Sequence, residues 1–186
     1  ENRVVLSEEA PFSVAPVEAV PKPFIYAERA PSADDPMTDY ILGGQLFNLG
    51  EKAKAEAFLE RAYRKRPQEL LFAEGLARVS FARGKYQAVK TILEPFLTEN
   101  PSEDYRFLNL LGQARQMLRE YEEAIRHYKD YLARYGTHLE VLNAIGYCYL
   151  ALGQKDAALE AWEKSLELNP DQPRIQRMVA SLKGER

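Results

Sequence analysis

The stretch that decides the fold is residues 142–170, LNAIGYCYLALGQKDAALEAWEKSLELNP. It contains a small residue at Gly146, a break at Gly153, an aromatic residue at Trp162 and a proline at its end, Pro170. Versions of this pattern occur four times in the chain at a period of about 34 residues, which is typical of stacked, identical supersecondary units. Such a stack presents a long surface and does not enclose a reaction, so the repeat bears on function as well as on fold.

The spacing of apolar residues from Asp39 onward predicts helices, because these residues recur at three- and four-residue steps. Glycines at the break between the two helices of a unit suit a left-handed helix end. They are Gly50, Gly84 and Gly153, whereas the third unit has Leu118-Arg119-Glu120 at this place. Pro67, Pro101 and Pro170 are expected to end three of the second helices, and Pro95 inside the second unit predicts a kink.

The sequence therefore predicts an all-α fold, a right-handed superhelical solenoid of four helix pairs and a closing helix. The predicted units are residues 36–69, 70–104, 105–138 and 139–172, and the closing helix is residues 173–184. Small residues mark the places where the two helices of a unit cross closely, at Gly43, Ala77, Gly112 and Gly146. Large residues of the second helices are expected to fill the space between units: Leu59, Leu93, Tyr128 and Trp162.

This pattern resembles the tetratricopeptide repeat family over roughly residues 36–172. The last unit matches through Leu142, Gly146, Ala158 and the run that ends at Pro170, and the third matches through Leu111-Gly112 and residues 121–125. The first two units match in phase, the second more weakly. The resemblance implies a superhelix whose first helices line a concave groove, and a function in binding proteins or peptides.

Bulk composition excludes several classes of protein. The chain has 186 residues and a net charge of −3, which is unlike the basic surplus of nucleic-acid-binding proteins. No apolar run reaches the roughly 18 residues that a membrane helix needs. The single cysteine, Cys148, excludes an internal disulfide. We therefore expect no nucleic-acid partner and no membrane insertion in this stretch.

Residues 1–35 form a second region of different composition. Five prolines in this region predict an extended backbone, and acidic residues exceed basic ones. Two apolar clusters, Val4-Val5-Leu6 and Phe24-Ile25-Tyr26, are more than a spacer needs. Thirty extended residues can span roughly 100 Å. We therefore expect residues 1–35 to pack on the repeat domain, in its own groove or a neighbour's, or at the N-terminal end of the solenoid.

A search for chemistry gives no nucleophile, base and orienting group in a recognisable set. His127 and His138 lack partners at metal-ligand spacing and are expected to be exposed to solvent. Cys148 lies amid tyrosines and is expected to be a buried structural thiol. The sequence therefore predicts a protein that is not an enzyme, with no catalytic residue, no metal site and no cofactor.

The resemblance implies that ligands lie along the concave groove formed by the first helices. Asn109 and Asn143 are one repeat apart and could hold the backbone of an extended peptide, since an amide offers both donors and acceptors. Arginines could meet an acidic segment. The candidate groove residues are Tyr40, Phe47, Arg78, Arg106, Asn109, Gln113, Asn143, Tyr147, Arg174 and Arg177.

The predicted function is a non-catalytic scaffold or adaptor that binds an unidentified protein or peptide in this groove. One alternative is a structural subunit that associates with itself through the N-terminal segment. Another is an accessory module of a larger envelope protein, since the first residue is Glu1 and not Met. Proline-rich spacers often join an envelope anchor to a soluble domain, so the bacterial periplasm or cell envelope is one expected location and the cytoplasm is the alternative.

Overall fold

The described part of the chain is helical throughout. The computed structural model describes residues 34–97 and 106–184. Its helices are α1 (Pro36–Asn48), α2 (Lys52–Lys65), α3 (Leu70–Ala82), α4 (Tyr86–Leu93), α5 (Phe107–Met117), α6 (Tyr121–Tyr135), α7 (Leu139–Ala151), α8 (Lys155–Leu168) and α9 (Pro173–Gly184). The extended segment predicted over residues 1–35 lies outside these residues, except for Asp34 and Asp35.

The helices form a linear stack in which each one packs mainly against the next. The pairs are α1–α2, α3–α4, α5–α6 and α7–α8, and α9 packs against α8. Buried apolar residues form three successive clusters along the stack, so the core runs through it from end to end. This arrangement confirms the predicted all-α solenoid of four helix pairs and a closing helix.

In three of the four pairs, a glycine on the first helix faces a large residue sixteen positions later on the second. A Cβ atom on Gly112 would lie 2.7 Å from the Tyr128 ring, and one on Gly43 would lie 2.6 Å from Cγ of Leu59. A Cβ atom on Gly146 would overlap the indole of Trp162. The large side chains were expected between units, and the structure shows that they also fill the space within their own pair.

The turns inside the units adopt the left-handed conformation that the glycines predict. The φ angles are +82° at Gly50, +75° at Gly84 and +75° at Gly153. In the third unit Arg119 takes the same conformation, with φ of +64°. A residue with a Cβ atom pays roughly 1–2 kcal/mol for this conformation, so Arg119 is a point of backbone strain.

The second unit differs from expectation at Pro95. The sequence predicts a kinked helix, but α4 ends at Leu93 and a 3₁₀ turn, Glu94–Phe96, follows it. Proline has no N–H to donate, and its ring clashes with the carbonyl four residues earlier. The chain therefore leaves the α-helix here instead of bending it.

The close approach at Gly146 gives a first prediction. Gly146→Leu should destabilise the protein by roughly 1–3 kcal/mol, because the added atoms would have to displace a rigid, buried indole. Urea unfolding measures this loss. The matched control is Gly44→Leu, since no atom lies within 4 Å of a Cβ atom on Gly44. Equal losses at the two positions would contradict the packing explanation.

The strained turn gives a second prediction. Arg119→Gly should raise the free energy of unfolding by roughly 0.5–1 kcal/mol, because glycine adopts a positive φ without the Cβ clash and loses only part of this gain to chain entropy. The reverse change in the fourth unit, Gly153→Arg, should lower it. Thermal or urea unfolding of both variants checks the pair, and a less stable Arg119→Gly variant would show that the turn is not strained.

Candidate functional site

The first helices of the units form one continuous side of the stack. Helix α1 contacts α3, α3 contacts α5, and α5 contacts α7, so the first helices of successive units are neighbours along the stack. A cavity of about 260 Å³ opens between α6, α7 and α8. Elements on the inside of a curved stack lie closer together than those on the outside. Contacts between successive first helices are expected on the inner side of such a stack, and we call the side that they form the inner side; the candidate groove residues were placed on it.

Aromatic side chains lie at the N-terminal end of the candidate groove. The Tyr40 ring centroid is 5.6 Å from that of Phe72 on α3, and a Cβ atom on Gly75 would lie 2.7 Å from the Tyr40 ring. Phe47 is half-buried and packs on the same apolar cluster. Both candidate residues are therefore held by packing and keep part of their surface in solvent.

The middle of the candidate groove is polar. Gln113 Nε2 donates to Asn109 Oδ1 at 3.0 Å, so these two candidates on α5 form one amide pair. Arg78 on α3 is exposed, and Arg106 is exposed at the N-cap of α5. This hydrogen bond uses the side-chain oxygen of Asn109 as an acceptor. The NH₂ group of Asn109 is the group that could donate to a ligand carbonyl.

A cation and two aromatic rings meet at the C-terminal end. The Arg174 guanidinium carbon lies 5.1 Å from the Tyr147 ring centroid, so α9 and α7 bring two candidates together. The Tyr147 ring meets Trp162 edge-on at 5.2 Å, and Trp162 is fully buried. Tyr147 is thus supported from below by a rigid residue and flanked by a positive charge. Arg177, one turn later on α9, is exposed and donates from Nε to the Pro173 carbonyl at 3.2 Å.

Asn143 has a structural partner that the sequence did not indicate. Its Nδ2 donates to Gln172 Oε1 at 2.7 Å, and Gln172 Nε2 donates to the carbonyls of Ser165 and Asn169 at 3.0 and 2.8 Å. These hydrogen bonds connect α7 to the turn between α8 and α9. The Asn143 Oδ1 atom is buried and has no hydrogen-bond partner among the described residues. Asn109 and Asn143, though one repeat apart, therefore have different surroundings.

An ion-pair network at the junction of the second and third units was also missed. Arg115 pairs with Glu94 at 2.6 Å and with Glu120 at 2.9 Å, and Lys90 pairs with Glu120 at 2.6 Å. The hydrogen bond from Lys90 is the main cause that holds the pKa of Glu120 below its usual value. Charged residues on helices usually indicate solvated surface, so no sequence signal could have identified this network.

Comparison with known proteins supports the architecture. Two models of the tetratricopeptide repeat match the chain, one over residues 75–138 and the other over residues 115–182. The chain is a tetratricopeptide repeat protein. A search of curated protein sequences gives no match.

Several solved structures share this fold. MamA AMB-1 is 25% identical with a TM-score of 0.67, and the alignment covers 77% of this chain and 79% of MamA. A MamA fragment from Desulfovibrio magneticus RS-1 is 22% identical with a TM-score of 0.68, covering 75% of this chain and 78% of that one. Cut9, in the APC/C hetero-tetramer with Hcn1, is 20% identical with a TM-score of 0.68; the match covers 80% of this chain and 30% of that one.

The reactive side chains of the repeat domain are placed for packing. Cys148 is fully buried, and burial raises the pKa of its thiol to about 12, so it stays protonated and unreactive at neutral pH. Residues 34–97 and 106–184 contain no cluster of histidine, cysteine or carboxylate groups that could hold a metal ion. None of the helices within these ranges is long and apolar enough to cross a membrane.

The expectation that His127 is exposed is wrong. The side chain is 3% exposed, and neither ring nitrogen has a hydrogen-bond partner among the described residues. Burial is the main cause that lowers the pKa of His127 from 6.5 to about 4, and the nearby charges of Arg115 and Arg126 add to it. His127 is therefore neutral at pH 7 and behaves as a core residue. His138 is exposed, as expected, and its Nδ1 lies 2.9 Å from a carboxylate oxygen of Glu140.

The buried histidine gives a third prediction. Between about pH 6.5 and pH 4 the unfolded chain binds a proton at His127 that the folded protein excludes, so stability falls as the pH falls through this window. The loss from this residue should be roughly 3 kcal/mol. His127→Leu removes it, so the difference in unfolding free energy between wild type and variant should change across the window.

Urea unfolding at several pH values measures this difference, and carboxylates that titrate in both proteins cancel from it. The matched control is Ile125→Ala, a change of another buried residue on α6 that has no titratable group, which should follow the wild-type pH dependence. A His127→Leu variant with the same pH dependence as the wild type would show that His127 becomes protonated without unfolding.

Proposed function

We propose that this domain is a non-catalytic adaptor that binds an extended, acidic peptide or protein segment along its inner face. The observation that carries the proposal is that the Arg174 guanidinium lies beside the Tyr147 ring, which packs in turn on buried Trp162. A supported aromatic ring beside a cation offers both contact area and a charge-assisted bond. Tyr40 and Phe47 offer a comparable apolar support at the other end of the face.

The charge of this face favours an acidic partner. The whole chain has a net charge of −3, yet the inner positions carry four arginines: Arg78, Arg106, Arg174 and Arg177. In the described part of the chain, only two carboxylates lie at inner positions, Glu74 and Glu140, so arginines outnumber them on this face. Glu140 also has a neighbour of its own, since it lies 2.9 Å from His138 Nδ1. The contrast between a cationic face and an acidic chain would steer an acidic segment to this face.

An extended ligand suits the spacing of these groups. Side chains that could bind it come from α1, α3, α5, α7 and α9 in succession, so a ligand along the stack meets one contact per unit. The Asn109 NH₂ group lies between the aromatic ends and could donate to a backbone carbonyl. Cut9, which has the same fold, occurs in a hetero-tetramer with Hcn1, which supports a role in protein binding for this chain as well.

Selection of peptides from a random phage-displayed library on the immobilised full chain tests the proposal. We expect selected peptides to be acidic with an aromatic or leucine residue, and to bind less tightly as salt is raised. Arg78→Glu and Arg174→Glu should each weaken binding tenfold or more, because each removes a charge-assisted bond worth about 1.5–3 kcal/mol. Fluorescence polarisation of a labelled peptide measures the affinity.

The matched control is Arg126→Glu, an exposed arginine on the second helix α6. Its charge change is the same as in the other two variants. If net charge alone attracted the peptide, all three variants would therefore lose the same affinity. Selected peptides whose affinity depends on Arg126 and not on Arg78 or Arg174 would place the binding surface on the outer side and refute the proposal.

A further inference from the structure

The first helix of the described stack has an apolar face that no described residue covers. We call this face the edge strip, and its exposed residues are Met37, Ile41, Leu42 and Leu49. Leu42 is 39% exposed, whereas the residues at its repeat position in the next three units are 6% exposed or less: Leu76, Leu111 and Ile145. In those units the preceding helix pair covers this position, and α1 has no described pair before it.

The edge strip is too narrow to receive another helix pair. Thr38 and Gln45 lie on the same side of α1. In the following units their repeat positions hold buried residues: Phe72, Phe107 and Val141 for Thr38, and Val79, Ala114 and Cys148 for Gln45. A helix pair, from this chain or from a second copy, would bury these two polar side chains. A thin, extended segment would cover less of α1, and its own backbone N–H and C=O groups could form hydrogen bonds with these two polar side chains.

The chain enters α1 at a fixed point beside this strip. Lys65 Nζ donates to the Asp34 carbonyl at 2.8 Å and pairs with the Asp39 carboxylate at 3.3 Å. Asp35 caps the helix, because its Oδ1 atom accepts from the Met37 N–H at 3.0 Å. Arg61 also pairs with Asp39, which is buried. These contacts hold the residue from which the N-terminal segment departs next to Met37, the first residue of the strip.

We propose that Phe24-Ile25-Tyr26, from the same chain, covers the edge strip. It is the nearer of the two apolar clusters in the N-terminal segment. Phe24 lies ten positions before Asp34, a reach of up to about 33 Å, while the strip from Met37 to Leu49 is about 18 Å long. Pro31 opposes a continuous helix between the two and favours the extended form that a narrow strip accepts. The inference does not depend on what the inner face binds.

An engineered disulfide in the full chain tests this placement. Cys148 is the only cysteine and is buried, so added cysteines can react without competition from it. Ile25→Cys combined with Ile41→Cys should give, after oxidation of dilute protein, a cross-link within one chain in most molecules. Intact mass and a non-reducing gel measure the yield. The matched control combines Ile25→Cys with Leu168→Cys, because Leu168 is also an exposed apolar residue but lies in the fourth unit.

Two results would overturn the proposal. A cross-linked dimer as the main product would show that a second copy covers the strip. Equal yields with Ile41→Cys and Leu168→Cys would show that the segment has no preferred place on the stack.

Hydrogen exchange of the full chain gives an independent measurement, which needs no disulfide geometry. The double change Phe24→Ser and Tyr26→Ser should speed exchange of α1 amides several-fold. Val4→Ser with Val5→Ser, in the other apolar cluster, should leave them unchanged. Unchanged exchange in the first variant, or an equal increase in both, would also refute the placement.

Discussion

The structure depends on the close crossing of paired helices at a small residue. Where the first helix has glycine, the second can place a ring directly over its backbone, as Tyr128 does over Gly112 and Trp162 over Gly146. In the first two units the second-helix residue is a leucine: Leu59, which lies against Gly43, and Leu93, which is buried in the same cluster as Ala77. Interiors are packed as tightly as crystals, so this contact fixes how far apart the two helices lie and how they are rotated. Repeating it in four units fixes the stack.

The same constraint leaves neighbouring positions open to variation. The residue immediately after each small residue is on the inner side. It makes no packing contact that is common to all four units. It is Gly44, Arg78, Gln113 and Tyr147 in the four units. One helix face therefore repeats because packing requires it, while the adjacent face differs from unit to unit. That separation allows a repeat domain to keep its fold while its inner surface becomes specific for one partner.

Features set by the repeat could be predicted from the sequence, and features set by contacts between distant residues could not. The helix pairs, the left-handed glycines and the buried Cys148 follow from local pattern. The hydrogen bond from Asn143 to Gln172 depends on where α9 begins, because Gln172 immediately precedes this helix. The periodicity of the sequence does not specify that position. His127 was expected to be exposed because it lies on a second helix, on the outer side of the stack, but the structure buries its ring. The Pro95 error was local: a proline can end a helix as well as bend it.

A linear stack differs from a globular core in having two ends, and each end must hide the apolar positions that a neighbour would otherwise cover. At the C-terminal end α9 does so with Ile175, Val179 and Leu182, all buried on one side of an otherwise polar helix. At the N-terminal end the sequence places polar residues at two of the packing positions and keeps Ile41 and Leu42 apolar. A fully solvated end would favour polar residues at all of them. The retained apolar residues are what a stack needs when a segment, and not another helix pair, completes it.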